Sequence, residues 1–199
     1  MARRARFSHD DVLDAAVTAV GVAGPTATVA DVAHQLGGPV GSIYHRFASR
    51  EELLARLWLR EVGRFQRGLF AVDPGPEADA GTAHDALVAM ALHVPRYCRR
   101  HHAEARALTL YRQSRLLTDC PAGLEETVRT VNHDLEALTQ RMTLLRFGSA
   151  QADLTAITVR AVRVSAYGLV RPHLGGPVPR AVDAAVEAAA DAILRLGDG

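Results

Sequence analysis

The sequence predicts an all-α protein, and three observations carry that prediction. Alanine is abundant and aromatic residues make up only 5% of the chain, a balance that favours helix over sheet. Apolar residues recur at three- and four-residue spacing in one segment after another. No stretch keeps up the apolar–polar alternation of a half-buried strand. With 199 residues, 48% of them hydrophobic, the chain is long enough to bury a core and too apolar to be disordered.

In chain order, Met1 to Phe7 carries Arg3, Arg4 and Arg6 and no acid. Such a stretch reads either as a basic arm for phosphates or a minor groove, or as a solvated terminus. Ser8 and Asp11 fit a capping box, and Val12, Leu13, Ala16, Val17 and Val20 then form one apolar face, ended by Gly21, Gly24 and Pro25. Thr28 is placed to cap a second helix, Val29 to about Leu36, whose apolar face is Val29, Val32, Ala33 and Leu36. Gly37 and Gly38 permit a tight turn, and Pro39 suits the first turn of a third helix. That helix, roughly Val40 to Phe47, turns Ile43 and Phe47 to the core and shows Val40, Gly41, Ser42, Tyr44 and His45 on its other face. Two short helices joined by a glycine turn are the helix-turn-helix signature, whose second helix enters the DNA major groove.

Ser49, with Glu52 three residues on, opens a fourth helix. Its stripe of Leu54, Trp58, Val62, Phe65 and Leu69 runs to about Phe70, roughly 30 Å at 1.5 Å per residue. The Pro/Gly/acid segment Ala71 to Gly81 reads as a linker. Further helical patterns follow at about 82–100, 103–117, 124–146, 150–173 and 179–196. The expected organisation is a three-helix DNA-binding domain over 1–48, a connecting helix over 49–70 and a C-terminal helical bundle over 71–199. The last two helices are rich in Ala and Val, and small side chains allow close helix approach, within one chain or across a dimer face.

Several function classes find no support. All 23 basic residues are Arg and the net charge is +1, so charge alone names no partner. No run approaches 18 uncharged apolar residues, and the N-terminus lacks a signal-peptide pattern; a cytoplasmic location is expected. Cys98 and Cys120 form no C-x-x-C pair and read as reduced thiols. His101 and His102, with His93 and Cys98 nearby, invite a metal. Adjacent helical residues point about 100° apart, however, and no carboxylate completes a set, so neither metal nor cofactor is expected. No Glu has a His three residues on, and no Gly-rich phosphate loop, G-x-S-x-G or H-E-x-x-H occurs, so no enzyme is expected.

Four segments resemble the TetR family of transcriptional regulators: Thr28 to Ala33, Leu36-Gly37, Gly41 to Phe47 and Ser49 to Leu54. They match a capped second helix, a recognition helix ending in Tyr-x-x-Phe and a fourth helix opening on Glu-Glu-Leu-Leu. The resemblance covers about the first 60 residues and implies an all-helical homodimer with a C-terminal ligand-binding and dimerisation domain. It further implies a repressor that leaves a palindromic operator when a small molecule binds. The chain departs from the pattern at Gly38-Pro39-Val40, where the family carries a capping hydroxyl and often a basic residue. The departure points to altered or weaker operator recognition; the alternative is a helical interaction protein of the same fold that has lost sequence-specific DNA binding.

Within that frame, Thr28 sits at a helix N-terminus suited to phosphate. The resemblance gives Tyr44 a phosphate contact, against the alternative of a half-buried ring packed under the turn. Arg50 is a further candidate phosphate partner. Gly41 permits close approach, Ser42 can bond a base or phosphate, and Pro39 and Val40 can pack on a thymine methyl. His45 reads as a base-edge contact or as a solvated residue. Arg3 and Arg4 complete the expected DNA-binding set. The resemblance places an effector among the helices from Thr82 to Arg146, with Met90, His93, Tyr97, Leu108, Tyr111, Met142 and Phe147 as candidate lining or ordinary core. It places a dimer face on Val159, Val162, Ala166, Leu169, Ala181, Ala184, Ala188 and Ala192.

Overall fold

The computed structural model describes residues 7–198, so Arg3 and Arg4 lie outside the described residues. The chain is 74% helical, with no strand among the described residues, as the alanine-rich periodic sequence predicts. Twelve α-helices are described: α1 His9–Ala23, α2 Val29–Leu36, α3 Val40–Tyr44, α4 Arg50–Phe70, α5 Ala80–Arg100, α6 His102–Ala107, α7 Gln113–Thr118, α8 Glu125–Thr130, α9 His133–Phe147, α10 Ala152–Val159, α11 Ala166–Val170 and α12 Ala181–Arg195.

Packing divides the chain into two units that do not follow the linear boundary expected at residue 71. One unit holds residues 1–63 and 103–131, the other 64–102 and 132–199. The fourth helix contributes to both.

In the first unit, the faces foreseen for α1 and α2 close on each other. Val12, Ala16 and Val20 pack with Val32, Ile43, Phe47, Leu53 and Leu57, all essentially inaccessible to solvent. Burial of such side chains is worth about 1.5–3 kcal/mol each. A second cluster gathers Trp58 with Leu116, Leu124 and Val128, and the Trp58 indole N–H donates to the Leu108 carbonyl at 3.3 Å. Two of the predicted long helices are broken here. The pattern at 103–117 becomes α6 and α7, and that at 124–146 becomes α8 and α9. The Gln113 amide donates to the carbonyls of Val128 and Arg129 at 2.8 and 2.9 Å, so α7 is tied to the end of α8. Arg106 does the same for α1, donating to Gly21 and Val22 carbonyls that the helix end leaves without partners.

In the second unit, Leu87 and Met90 of α5 pack with Leu138 and Met142 of α9, Ala161, and Leu194 of α12. A buried pair of hydroxyls, Thr143 and Thr158, meets at 2.9 Å between α9 and α10. Arg99 fixes the start of α12 through the Val178 carbonyl at 2.9 Å and the Asp183 carboxylate at 2.5 Å. Between α10 and α11 the chain passes through a π-helical turn, residues 160–165. That wider turn rotates every later side chain relative to a continuous α-helix. Among the described residues no helix is long and apolar enough to cross a membrane.

Candidate nucleic-acid interface

The helix-turn-helix is built by satisfied termini around an exposed face. Ser8 caps α1 by accepting from the Asp11 N–H at 3.1 Å, while the Asp11 carboxylate accepts the Ser8 N–H at 2.7 Å. Thr28 and Asp31 repeat the arrangement at α2, at 3.1 and 2.8 Å. The Thr28 N–H and hydroxyl hold the Asp31 carboxyl below the usual carboxylate range. Gly37 ends α2 in the left-handed conformation (φ 63°) that its missing Cβ makes inexpensive.

The third helix is shorter than its expected span to Phe47. Regular helix ends at Tyr44, although the Phe47 N–H still donates to the Ile43 carbonyl at 3.0 Å. Pro39 stands at its N-cap with extended backbone and no side-chain cap. Ile43 and Phe47 are buried as predicted. On the opposite side Pro39, Val40, Gly41, Tyr44 and His45 are exposed and Ser42 is half-buried. Tyr44 is 52% exposed, so its ring is not packed away under the turn. A Cβ at Gly41 would meet no other atom within 4 Å, so this surface is open to a close-fitting partner.

Thr28 is exposed at the α2 terminus. Its hydroxyl donates to Asp31 at 2.8 Å, leaving the helix N-terminus flanked by a carboxylate. Arg50 differs from its expected role. Nε donates to the Ala27 carbonyl at 2.8 Å and Nη2 to the Pro25 carbonyl at 2.5 Å. Its guanidinium therefore braces the turn ahead of α2 and is not held out toward a phosphate. The capping box at α4 is also displaced by one residue. Ser49 Oγ accepts the Glu52 N–H, but the Glu52 carboxylate takes the Ala48 N–H at 2.7 Å and the Arg56 Nε–H at 2.7 Å.

Two residues that the sequence left unassigned hold the edge of this surface. Arg46 donates from Nη1 to the Ser42 carbonyl at 2.7 Å and from Nη2 to the Phe7 carbonyl. The Phe7 ring lies against Gly38, where a Cβ would come within 2.6 Å of it. Their only sequence signals were an aromatic just before the Ser8 cap and a second glycine in the turn.

The expected effector residues fall in both units. Leu108 and Tyr111 belong to the first unit, where Tyr111 packs edge-on to Trp58. Met90 and Met142 are fully buried in the core of the second unit. His93 and Tyr97 join a ring cluster with Phe65 and His101, and His93 bonds the Phe65 carbonyl at 3.0 Å. Burial pushes the His93 pKa down, and Arg100 and His101 act the same way. Phe147 packs beneath the Arg146 guanidinium, 4.7 Å from the ring centroid. A groove of about 660 Å³ in the second unit, lined by His84, Asp85, Val88, Leu92, Ala184 and Asp191 among others, takes in none of the seven.

The expected dimer face needs one correction. Ala166 is fully buried within its own unit and cannot meet a partner; Val162 is half-buried and packs on the core. A small apolar side chain suits interior helix packing as well as a dimer face, and Ala166 takes the interior place. The exposed apolar residues are Val164, Tyr167 and Leu169. On α12 the expected positions Ala181, Ala184, Ala188 and Ala192 are exposed, while Val159 is half-buried.

Comparison with known proteins agrees with this architecture. Residues 12–57 match the family described as bacterial regulatory proteins, tetR family. No curated protein matches the chain. A transcriptional regulator from Rhodococcus sp. Rha1 superposes with a TM-score of 0.72 at 18% identity, covering 95% of this chain and 97% of that one. The ketosteroid transcriptional regulator KstR2 of Mycobacterium tuberculosis gives 0.67 at 18% identity, with 96% and 94% covered. The TetR-family regulator PfmR of Thermus thermophilus gives 0.66 at 20% identity, with 92% and 97% covered. At these identities the likeness is one of fold.

Proposed function

We propose that this chain is a transcriptional regulator of the TetR family, whose description residues 12–57 match, and that it binds a palindromic operator as a homodimer and represses until an effector releases it. The observation that carries the reading is the face of α3: Pro39, Val40, Gly41, Tyr44 and His45 are exposed on a helix whose other side is locked by Ile43 and Phe47. Tyr44 contacts phosphate through its hydroxyl, Val40 and Pro39 pack on thymine methyls, and Ser42 and His45 reach base edges. Thr28 presents the α2 terminus to a phosphate, and Arg3 and Arg4 add backbone contacts. Arg50 supports this surface from behind.

A single small domain binds DNA weakly, so two copies present paired recognition helices about 34–36 Å apart. The dimer forms through Val164, Tyr167 and Leu169 with Ala181, Ala184, Ala188 and Ala192, which are exposed in the single chain. A small molecule bound in the second unit acts by favouring a conformation with poorer half-site spacing, which requires unequal affinity for the two states. Such a regulator works on DNA in the cytoplasm and performs no catalysis. The test is selection of genomic fragments by the purified protein: recovery of a two-fold symmetric sequence supports the reading, and recovery of random fragments refutes it. A thermal-shift screen of metabolites, followed by DNA release, identifies the effector.

A further inference from the structure

We propose that operator binding by this chain is proton-coupled: His34 and His45, at the two ends of the exposed α3 face, each take up a proton as they meet the duplex and so supply positive charge that the arginines of this surface do not. The inference rests on the operator binding proposed above and adds a pH dependence to it.

The charge inventory of the helix-turn-helix and its supports carries the proposal. Residues 7–63 contain seven acidic side chains and four arginines, Arg46, Arg50, Arg56 and Arg60. Each of the four is already engaged. Arg46 donates to the Ser42 and Phe7 carbonyls, and Arg50 to those of Ala27 and Pro25. Arg56 holds the Glu52 carboxylate at 2.7 Å, and Arg60 holds those of Asp14 and Glu61, each at 2.9 Å. Duplex DNA carries one negative charge per about 1.7 Å of its axis, so a surface that meets it needs cations that are not already spent.

The two histidines stand where those cations are needed. His34 shares a hollow with Gly37, Gly38 and Pro39, immediately before α3. His45 is the C-cap residue at the other end of that helix. Both are exposed, and neither ring makes a hydrogen bond or ion pair among the described residues. Histidine is the side chain whose charge changes between pH 5 and 8. The negative field of the duplex favours its charged form, and an imidazolium donates from both nitrogens, to phosphate oxygens or to guanine N7 and O6. Among charged neighbours, Asp31 stands one turn before His34 on α2, with its carboxylate held by the Thr28 N–H and hydroxyl. Arg46 follows His45, and Asp11 of α1 acts on that guanidinium. The third histidine of this stretch, His9, packs edge-on to Phe47 with ring centroids 5.2 Å apart.

The experiment measures affinity for a duplex recovered from the genomic selection, by fluorescence anisotropy on the full-length protein at pH 8, 7 and 6 and constant ionic strength. Circular dichroism at each pH checks that the chain stays folded. Contacts from arginine do not titrate in this range, so they leave the pH slope untouched. Each proton taken up on binding raises affinity by up to about tenfold per unit fall in pH. Wild-type affinity is expected to rise about tenfold or more between pH 8 and pH 6. Its slope of log K against log salt should steepen by about 0.9 for each added charge. His34→Gln and His45→Gln are each expected to lose part of the pH slope and the double variant most of it, while His9→Gln keeps it. His45→Arg is expected to hold at pH 8 part of the affinity that wild type reaches only at pH 6. Wild-type affinity that does not change with pH, or a double variant weakened equally at every pH, overturns the proposal while operator binding stands. A wild-type protein that selects no DNA at any of the three pH values overturns both.

Discussion

Arg50 Nε lies 2.8 Å from the Ala27 carbonyl, binding the start of α4 to the turn that precedes α2. With Nη2 on Pro25, this one side chain satisfies two carbonyls that neither helix can reach. Arg50→Ala is therefore expected to destabilise the chain. Hydrogen bonds from a charged donor are worth about 1.5–3 kcal/mol, and a denaturation midpoint measured on the variant should fall accordingly. Arg50→Lys should recover only part, because an ammonium lacks the fork that spans both carbonyls.

Tyr44 should behave in the opposite way. Its ring is half exposed, and its hydroxyl makes no hydrogen bond among the described residues. Tyr44→Phe should leave stability within about 0.5 kcal/mol, as surface changes usually do. Operator affinity should fall several-fold in a binding titration. Unchanged affinity would remove Tyr44 from the interface.

At α2, Thr28→Ala removes the acceptor for the Asp31 N–H. A lost cap of this kind costs about 1 kcal/mol. Thr28→Ser should retain most of the stability, and thermal unfolding of the two variants distinguishes the cap from the methyl group.

His93 makes stability depend on mild acid. Its ring is packed on Gly68 and bonded to the Phe65 carbonyl, and burial lowers its pKa below 6.5. The unfolded chain then binds the proton more readily than the folded one. The stability contribution is complete above about pH 6.5 and declines as the pH falls toward the lower folded value. His93→Gln should flatten the melting temperature across that window relative to wild type. Gly68→Ala, which drives a methyl group into the ring, should cost about 1–3 kcal/mol at any pH.

The exposed face near the C-terminus gives a prediction about assembly. Tyr167→Arg should yield monomers by sedimentation with helix content intact, because Tyr167 is 47% exposed. Ala166→Arg should instead unfold the second unit, since Ala166 is fully buried. If Tyr167→Arg stays dimeric, the association face lies elsewhere.

These contrasts show where the sequence was legible. Caps and periodic faces are local, so Ser8, Thr28, Ile43 and Phe47 could be placed from spacing alone. The role of Arg50 depends on carbonyls 23 and 25 residues away, which no local pattern encodes. Ala166 was misplaced because a small apolar side chain serves interior packing and a dimer face equally well, and its burial depends on neighbours far along the chain. Residues 103–131 pack with the N-terminal helices, a pairing invisible when domains are drawn as consecutive segments. The effector set was spread over two units for the same reason.

The most direct test of the central claim is the genomic selection with wild-type protein and Tyr44→Phe in parallel. Wild-type protein should recover a two-fold symmetric sequence with half-sites one helical turn apart, bound with affinity that falls steeply as salt rises, and markedly depleted with the variant. Recovery of no symmetric sequence, or equal recovery by both proteins, would contradict that claim.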